Sequence, residues 1–204
     1  MYNVSIPMAL VDFLPVIFFG VSMVILLGDL YNKMGKGAYG MFAAGMIQIF
    51  SAGFLKALWK LLYAAHVCDF QALYTMFLPV QSLGFLLAGV GIVMMLLPRR
   101  RVMLAVVPPV FSGSVVFIMM MVFGLGTVCT CLSILASKMG KKRIMILLIA
   151  SFVCSMGMGA LSGADFTQAI YNWIEQGINC VGQGLLMAGV LVLHRAGLKE
   201  FTLT

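Results

Sequence analysis

Lys56 and Lys60 stand one helical turn apart inside an apolar run, "FLKALWKLLYAAHVCDF" at residues 54–70. An ammonium near the centre of a hydrocarbon layer costs about 2.5–3.5 kcal/mol even on a lenient insertion scale, so such a group calls for a partner or a wet cavity. Lys60, nearer the end of the run, has the simpler alternative of snorkelling to the interface. A second polar set lies in "YNWIEQGINCVGQGLL" at 171–186, where Asn172, Glu175, Gln176, Asn179, Gly182 and Gln183 fall within an arc of about 120° on a helix. Glu175 falls at the depth of the lysines, and a Lys–Glu pair between the two helices is the expected compensation. Read blandly, the same pair is an inert ion bridge holding two helices together.

Gln71, Thr75 and Ser82 share one side of a third apolar stretch with Gln81 beside them, and Asp12 precedes Pro15, a residue that frees backbone carbonyls where it interrupts a helix. The candidate substrate-binding set is therefore Lys56, Lys60, Glu175, Asn179, Asn172, Gln183, Gln81 and Asp12. A cavity offering both an ammonium and a carboxylate suits a small anionic, zwitterionic or proton-coupled solute. Catalysis has no comparable signature. The chain contains no HExxH, no GxSxG and no histidine pair sharing a face with carboxylates, so neither an enzyme, a metal nor a cofactor is expected. His66 and His194 are placed at opposite membrane faces, in packing or solvation roles. The five cysteines are an odd number, mostly within apolar helices, and read as small packing residues, as the eighteen methionines do.

The elements that must hold these groups are membrane helices. Mean hydropathy is +1.10, 63% of residues are hydrophobic and 9% are charged, with long apolar stretches separated by short basic clusters. The net charge of +7 does not mark a nucleic-acid binder, because the basic residues sit between spans. They form four clusters: Lys33 and Lys36; Arg99, Arg100 and Arg101; Lys138, Lys141, Lys142 and Arg143; Arg195 and Lys199. The positive-inside rule puts these on the cytoplasmic side of a plasma membrane, with the C-terminus there and the N-terminus outside. "MYNVSIPMALVDF" carries no Lys or Arg and so lacks the basic region of a cleavable signal peptide.

Spans are expected at about residues 9–27, 40–65, 71–97, 144–161 and 170–193, with residues 102–137 between two basic clusters that both belong in the cytoplasm. Two crossings there satisfy the charge rule. Three sequence echoes recur in order: "YNKMGKG" at 31–37 with "ASKMGKK" at 136–142, "DFQALY" at 69–74 with "DFTQAIY" at 165–171, and "GFLLAGVGIVM" at 84–94 with "GLLMAGVLVLH" at 184–194. The expected fold is an all-α, polytopic membrane bundle of about seven helices in a 3+1+3 arrangement of parallel repeats. Residues 1–101 form the first triplet, 102–114 a linker helix and 115–204 the second triplet. This layout resembles that of the SWEET and PQ-loop transporters; "LPVQ" at 78–81 is not their adjacent Pro-Gln pair, and no residue role follows from the likeness.

The expected function is transport or facilitated passage of a small polar solute through a site between the triplets that opens outward. A non-transporting binding, sensing or assembly subunit is the alternative. The lipid bilayer and the solute are the expected partners; nucleic acid is not, and homo-oligomerisation stays open.

Overall fold

Two prolines decide where the first and third rods break. A computed structural model describes residues 4–97, 114–160 and 169–202. In it, α1 (Ile6–Val11) and α2 (Phe13–Leu30) meet at Asp12, and α4 (Gln71–Thr75) and α5 (Phe77–Leu96) meet at Met76. Both breaks precede the same tetrapeptide, Phe-Leu-Pro-Val, at 13–16 and 77–80. Pro15 and Pro79 have no N–H for the carbonyl four residues back, and their rings crowd it, so each helix restarts just ahead of the proline. The break gives Asp12 its place: its backbone caps both helices while its side chain stays buried inside the bundle.

The other elements are α3 (Lys36–Ala64), α6 (Ser114–Lys138), α7 (Arg143–Ala160) and α8 (Ala169–Arg195). With α1–α2 and α4–α5 each counted as one broken rod, the described residues form six rods, all helical. Five of them, Ile6–Leu30, Lys36–Ala64, Gln71–Leu96, Val115–Lys138 and Ile170–Arg195, are long and apolar enough to cross a bilayer. This is the build of an integral membrane protein, where every backbone polar group must be bonded within its own helix. The sixth, Arg143–Met158, is apolar but shorter. The expected linker helix at 102–114 lies outside the described residues except for Ser114, which opens α6.

Small residues set how the rods approach one another. Gly84 lies against the backbone of Gly45, and Gly91 against Phe42 and Ala38, so α3 and α5 cross antiparallel at backbone distance. The same arrangement recurs between α7 and α8. There Gly182 lies against Cys154 and Ser151, and Gly189 against Leu148 and Ile144. Glycines seven residues apart, two turns along one face, make both crossings. The "GFLLAGVGIVM" and "GLLMAGVLVLH" echo falls on α5 and α8, one helix from each crossing, but the contacting glycines sit two residues out of its register. The "KMGK" echo falls on two loops of different local structure: Gly35 is extended ahead of α3, whereas Gly140, at φ +72°, closes α6.

Two pairs of rods run parallel. Along the α1–α2 rod and α8, Met8 meets Gln176, Phe18 meets Gly184 and Asp29 meets His194. Along α5 and α6, Phe85 meets Gly124, Gly89 meets Gly124 and Thr127, and Val93 and Leu96 share a groove with Thr130 and Ile134. Leu96 and Ser114 therefore lie at opposite ends of the bundle. The rods form a closed ring in the order α2, α3, α5, α6, α7, α8, each packed on its neighbours and α8 packed back on α2. Phe42, Met46, Ile49, Phe85, Ile92, Leu132, Leu148, Leu186 and Val190 fill its core, together with Leu26 and Leu30.

Candidate functional site at the Asp12 end of the bundle

Four charges meet where the α1–α2 break faces α3 and α8. Lys56 Nζ donates to Glu175 Oε1 at 2.8 Å. Lys60 Nζ lies 3.0 Å from Asp12 Oδ2 and 3.8 Å from Glu175 Oε2, as an ion pair off hydrogen-bond geometry. All four side chains are largely withdrawn from solvent, at 15% and 14% exposure for Lys56 and Glu175 and 4% and 10% for Lys60 and Asp12. Lys60 is therefore held in the interior and does not snorkel. Two cations face two anions, so the cluster carries no formal net charge. In surroundings of low polarity that balance decides whether the group can be buried at all, since an unpaired charge would cost several kcal/mol.

Aromatic rings enclose the cluster. Lys56 Nζ stands 4.3 Å above the centre of the Phe77 ring, a cation–π contact from the first turn of α5. Trp59, 1% exposed, packs against Tyr63 and Tyr74 at centroid distances of 5.5 and 4.7 Å, and its indole N–H donates to Asp69 Oδ1 at 3.1 Å. Asp69 thereby ties the α3–α4 turn to the site. That turn leaves α3 through His66, whose φ of +55° does here what glycine does at 140 and 197. Val4, Lys56, Trp59, Lys60, Tyr74, Asn172 and Glu175 line a cavity of about 40 Å³. That is room for about one water, and a solute requires the walls to part.

Of the residues singled out in the sequence, Lys56, Lys60, Glu175 and Asp12 come together, and Asn172 lines the same cavity. The direct pairing of Asp12 with Lys60 was not foreseen. Asn179 and Gln183 lie one and two turns along α8 from Glu175 on the same face, both half-buried, and among the described residues they make no hydrogen bond to the four charges. The Gln183 side-chain oxygen is buried without a hydrogen-bond partner. Gln81, half-buried, follows Phe77 by one turn of α5. Ser82 and Thr75 bond back to the carbonyls of Leu78 and Ala72 in their own turns and are spoken for.

Sequence reasoning missed Trp59, Tyr74 and Phe77 as walls. Trp59 follows Lys56 by three residues and Tyr63 follows Lys60 by three, a spacing that puts each ring beside an ammonium and was legible. It also grouped Gln176 with the polar face without finding its partner: the amide donates to the Met8 carbonyl at 2.8 Å and pins α8 to α1. His194 is paired as well, with Nδ1 at 3.0 and 2.9 Å from the two oxygens of the buried Asp29 carboxylate. The larger concavity, about 530 Å³ between α5, α6 and α7, is lined by apolar side chains with Thr127 and Thr130 and holds no ionisable group but Cys131. Among the described residues no cluster of His, Cys, Asp or Glu has the makings of a metal site. No protein-family model, curated protein or solved structure matches the chain.

Proposed function

We propose that this protein is an integral membrane transporter or facilitator of a small polar solute, anionic or zwitterionic, with its site between two three-helix repeats. The observation that carries the reading is the Lys56–Glu175 pair. It joins α3 of the first triplet to α8 of the second, beside a cavity, in a bundle whose other helix contacts are mostly apolar. Burying an ion pair gains little stability over an apolar pair of the same size, whereas ionisable groups within membrane spans are characteristic of solute and ion pathways.

The repeat arrangement has support of its own. The α3–α5 crossing and the α7–α8 crossing are built alike, and each triplet's third rod runs parallel to the other triplet's first. Because α5 and α6 run parallel, the chain joining Leu96 to Ser114 has to return from one end of the bundle to the other. The linker helix expected at 102–114 would supply that return, and it lies outside the described residues except for Ser114. Lys33, Lys36, Lys138, Lys141, Lys142, Arg143, Arg195 and Lys199 lie at the end opposite the four-charge cluster. The positive-inside rule makes that end cytoplasmic and turns the site toward the outside of the plasma membrane.

The test is uptake by liposomes containing the purified protein, with a panel of radiolabelled small anions and zwitterions and the Lys56→Ala variant as control. Saturable uptake that Lys56→Ala abolishes supports transport. A folded protein that moves none of them is instead a binding or assembly subunit, the reading favoured by the water-sized cavity.

A further inference from the structure

We infer that the solute is a zwitterion of the amino-acid type, one ammonium and one carboxylate on a small skeleton, seated by splitting the Lys56–Glu175 pair. The inference rests on the transport reading and narrows it.

Charge balance selects among the solute classes. Asp12, Lys56, Lys60 and Glu175 sum to zero formal charge within one largely buried cluster. A monoanion would leave the filled site at minus one and a monocation at plus one, an uncompensated charge where water is scarce. A zwitterion leaves the sum unchanged and returns a partner to every group that it separates.

The unspent bonding capacity has the same polarity. Among the described residues, Lys60, 3% exposed, lines the cavity with an ammonium whose three donors make no hydrogen bond of good geometry, and Lys56 has one carboxylate contact and the Phe77 ring. These donors face a position for a ligand carboxylate. Among the described residues Glu175 Oε2 has only the 3.8 Å contact to Lys60, and it faces the position for a ligand ammonium, with the rings of Trp59 and Tyr74 in the same wall. The lysines stand on the first triplet and Glu175 on the second, so a bound zwitterion bridges the two halves as the present ion pair does. The half-buried amides of Asn179 and Gln183, further along α8, supply hydrogen-bonding groups along the way inward.

The experiment is competition in the wild-type protein between skeleton-matched sets: neutral amino acids, their deaminated carboxylates and their decarboxylated amines, read by uptake and by thermal shift in detergent. The amino acids are expected to stabilise and to be taken up at least ten times more effectively than either single-charge set. Glu175→Gln should move the preference toward the carboxylates and Lys56→Gln toward the amines, each variant carrying the opposite spare charge. Carboxylates that match the amino acids in the wild-type protein overturn the inference and leave transport standing. If none of the three sets shifts the melting temperature or enters the vesicles while other solutes do, the class is wrong; if no solute does, the transport reading falls with it.

Discussion

Lys56 Nζ and Glu175 Oε1 are 2.8 Å apart across 119 positions of sequence, joining α3 to α8. The pair links α3 to α8 together with the longer Lys60–Glu175 contact, so its loss is felt as much in how those helices dock as in local bonding. Replacing either residue alone leaves the other's charge with weaker partners among the described residues, chiefly Lys60 at 3.8 Å for Glu175 and the Phe77 ring for Lys56.

Lys56→Ala and Glu175→Ala are therefore each expected to destabilise the folded protein, and the double variant to recover part of the sum. A coupling energy of about 1–2 kcal/mol is the scale for a membrane-embedded polar contact that keeps secondary partners. Thermal unfolding of the four proteins in one detergent measures it, and strictly additive losses would show that the two groups do not interact in solution.

The seam between α5 and α6 is equally specific. A Cβ added at Gly124 would stand 2.3 Å from the backbone carbon and oxygen of Phe85, while one added at Gly28 meets nothing within 4 Å. Two helix backbones cannot yield as a flexible side chain does. Gly124→Ala is expected to cost about 2–3 kcal/mol through overpacking, against a change near zero for Gly28→Ala. Equal melting temperatures for the two variants would mean that the seam is looser than these distances.

The helices and their polar faces were legible in the sequence because each rests on local information: apolar length, basic clusters, and the 3.6-residue period that put Glu175 and Asn179 on one stripe. Lys56 and Glu175 were matched by depth alone, which works when few ionisable groups lie in the membrane. The Asp12–Lys60 pair was harder to see. It depends on where Pro15 breaks the first rod, and the periodicity gives a break's presence without the direction in which the freed residue points. Asp29–His194 was missed for another reason. His194 was placed at a membrane face with no partner named, and only the parallel course of α2 and α8 brings Asp29 to it; helix direction within a ring is a tertiary property.

Topology is checked by thiol labelling. Cys68 is exposed in the α3–α4 turn, while Cys129 and Cys131 are buried in α6. A membrane-impermeant maleimide applied to intact cells should label Cys68, and also a cysteine replacing Ser5 in a protein freed of its other thiols. A cysteine replacing Thr202 should react only after the membrane is opened. Labelling of positions 5 and 202 from one side would remove the orientation proposed for the site.

Asp29 and His194 form a further polar tie between α2 and α8, at the end of that seam opposite the Gln176–Met8 bond. Asp29 is 3% exposed and its carboxylate has the His194 ring as its partner, whereas His194 is half exposed. The tie does not stand alone: Lys33 Nζ donates to the carbonyls of Lys199 and Phe201, fastening the end of the chain to the α2–α3 loop. In His194→Ala the carboxylate stays buried and loses a donor, which costs about 1–3 kcal/mol. Asp29→Asn should be milder, since an amide is neutral and the imidazole can turn to water. The combined Asp29→Asn, His194→Ala protein should accordingly be more stable than His194→Ala alone, whereas a simple loss of side-chain volume would leave the two equal, Asp and Asn being nearly the same size. Thermal melts of the three variants decide between them. Liposome uptake adds the functional half: if this end must part for solute to leave the bundle, the combined variant, with its tie removed and no stranded charge, should transport faster than the parent, and an unchanged rate would confine Asp29 and His194 to a structural role.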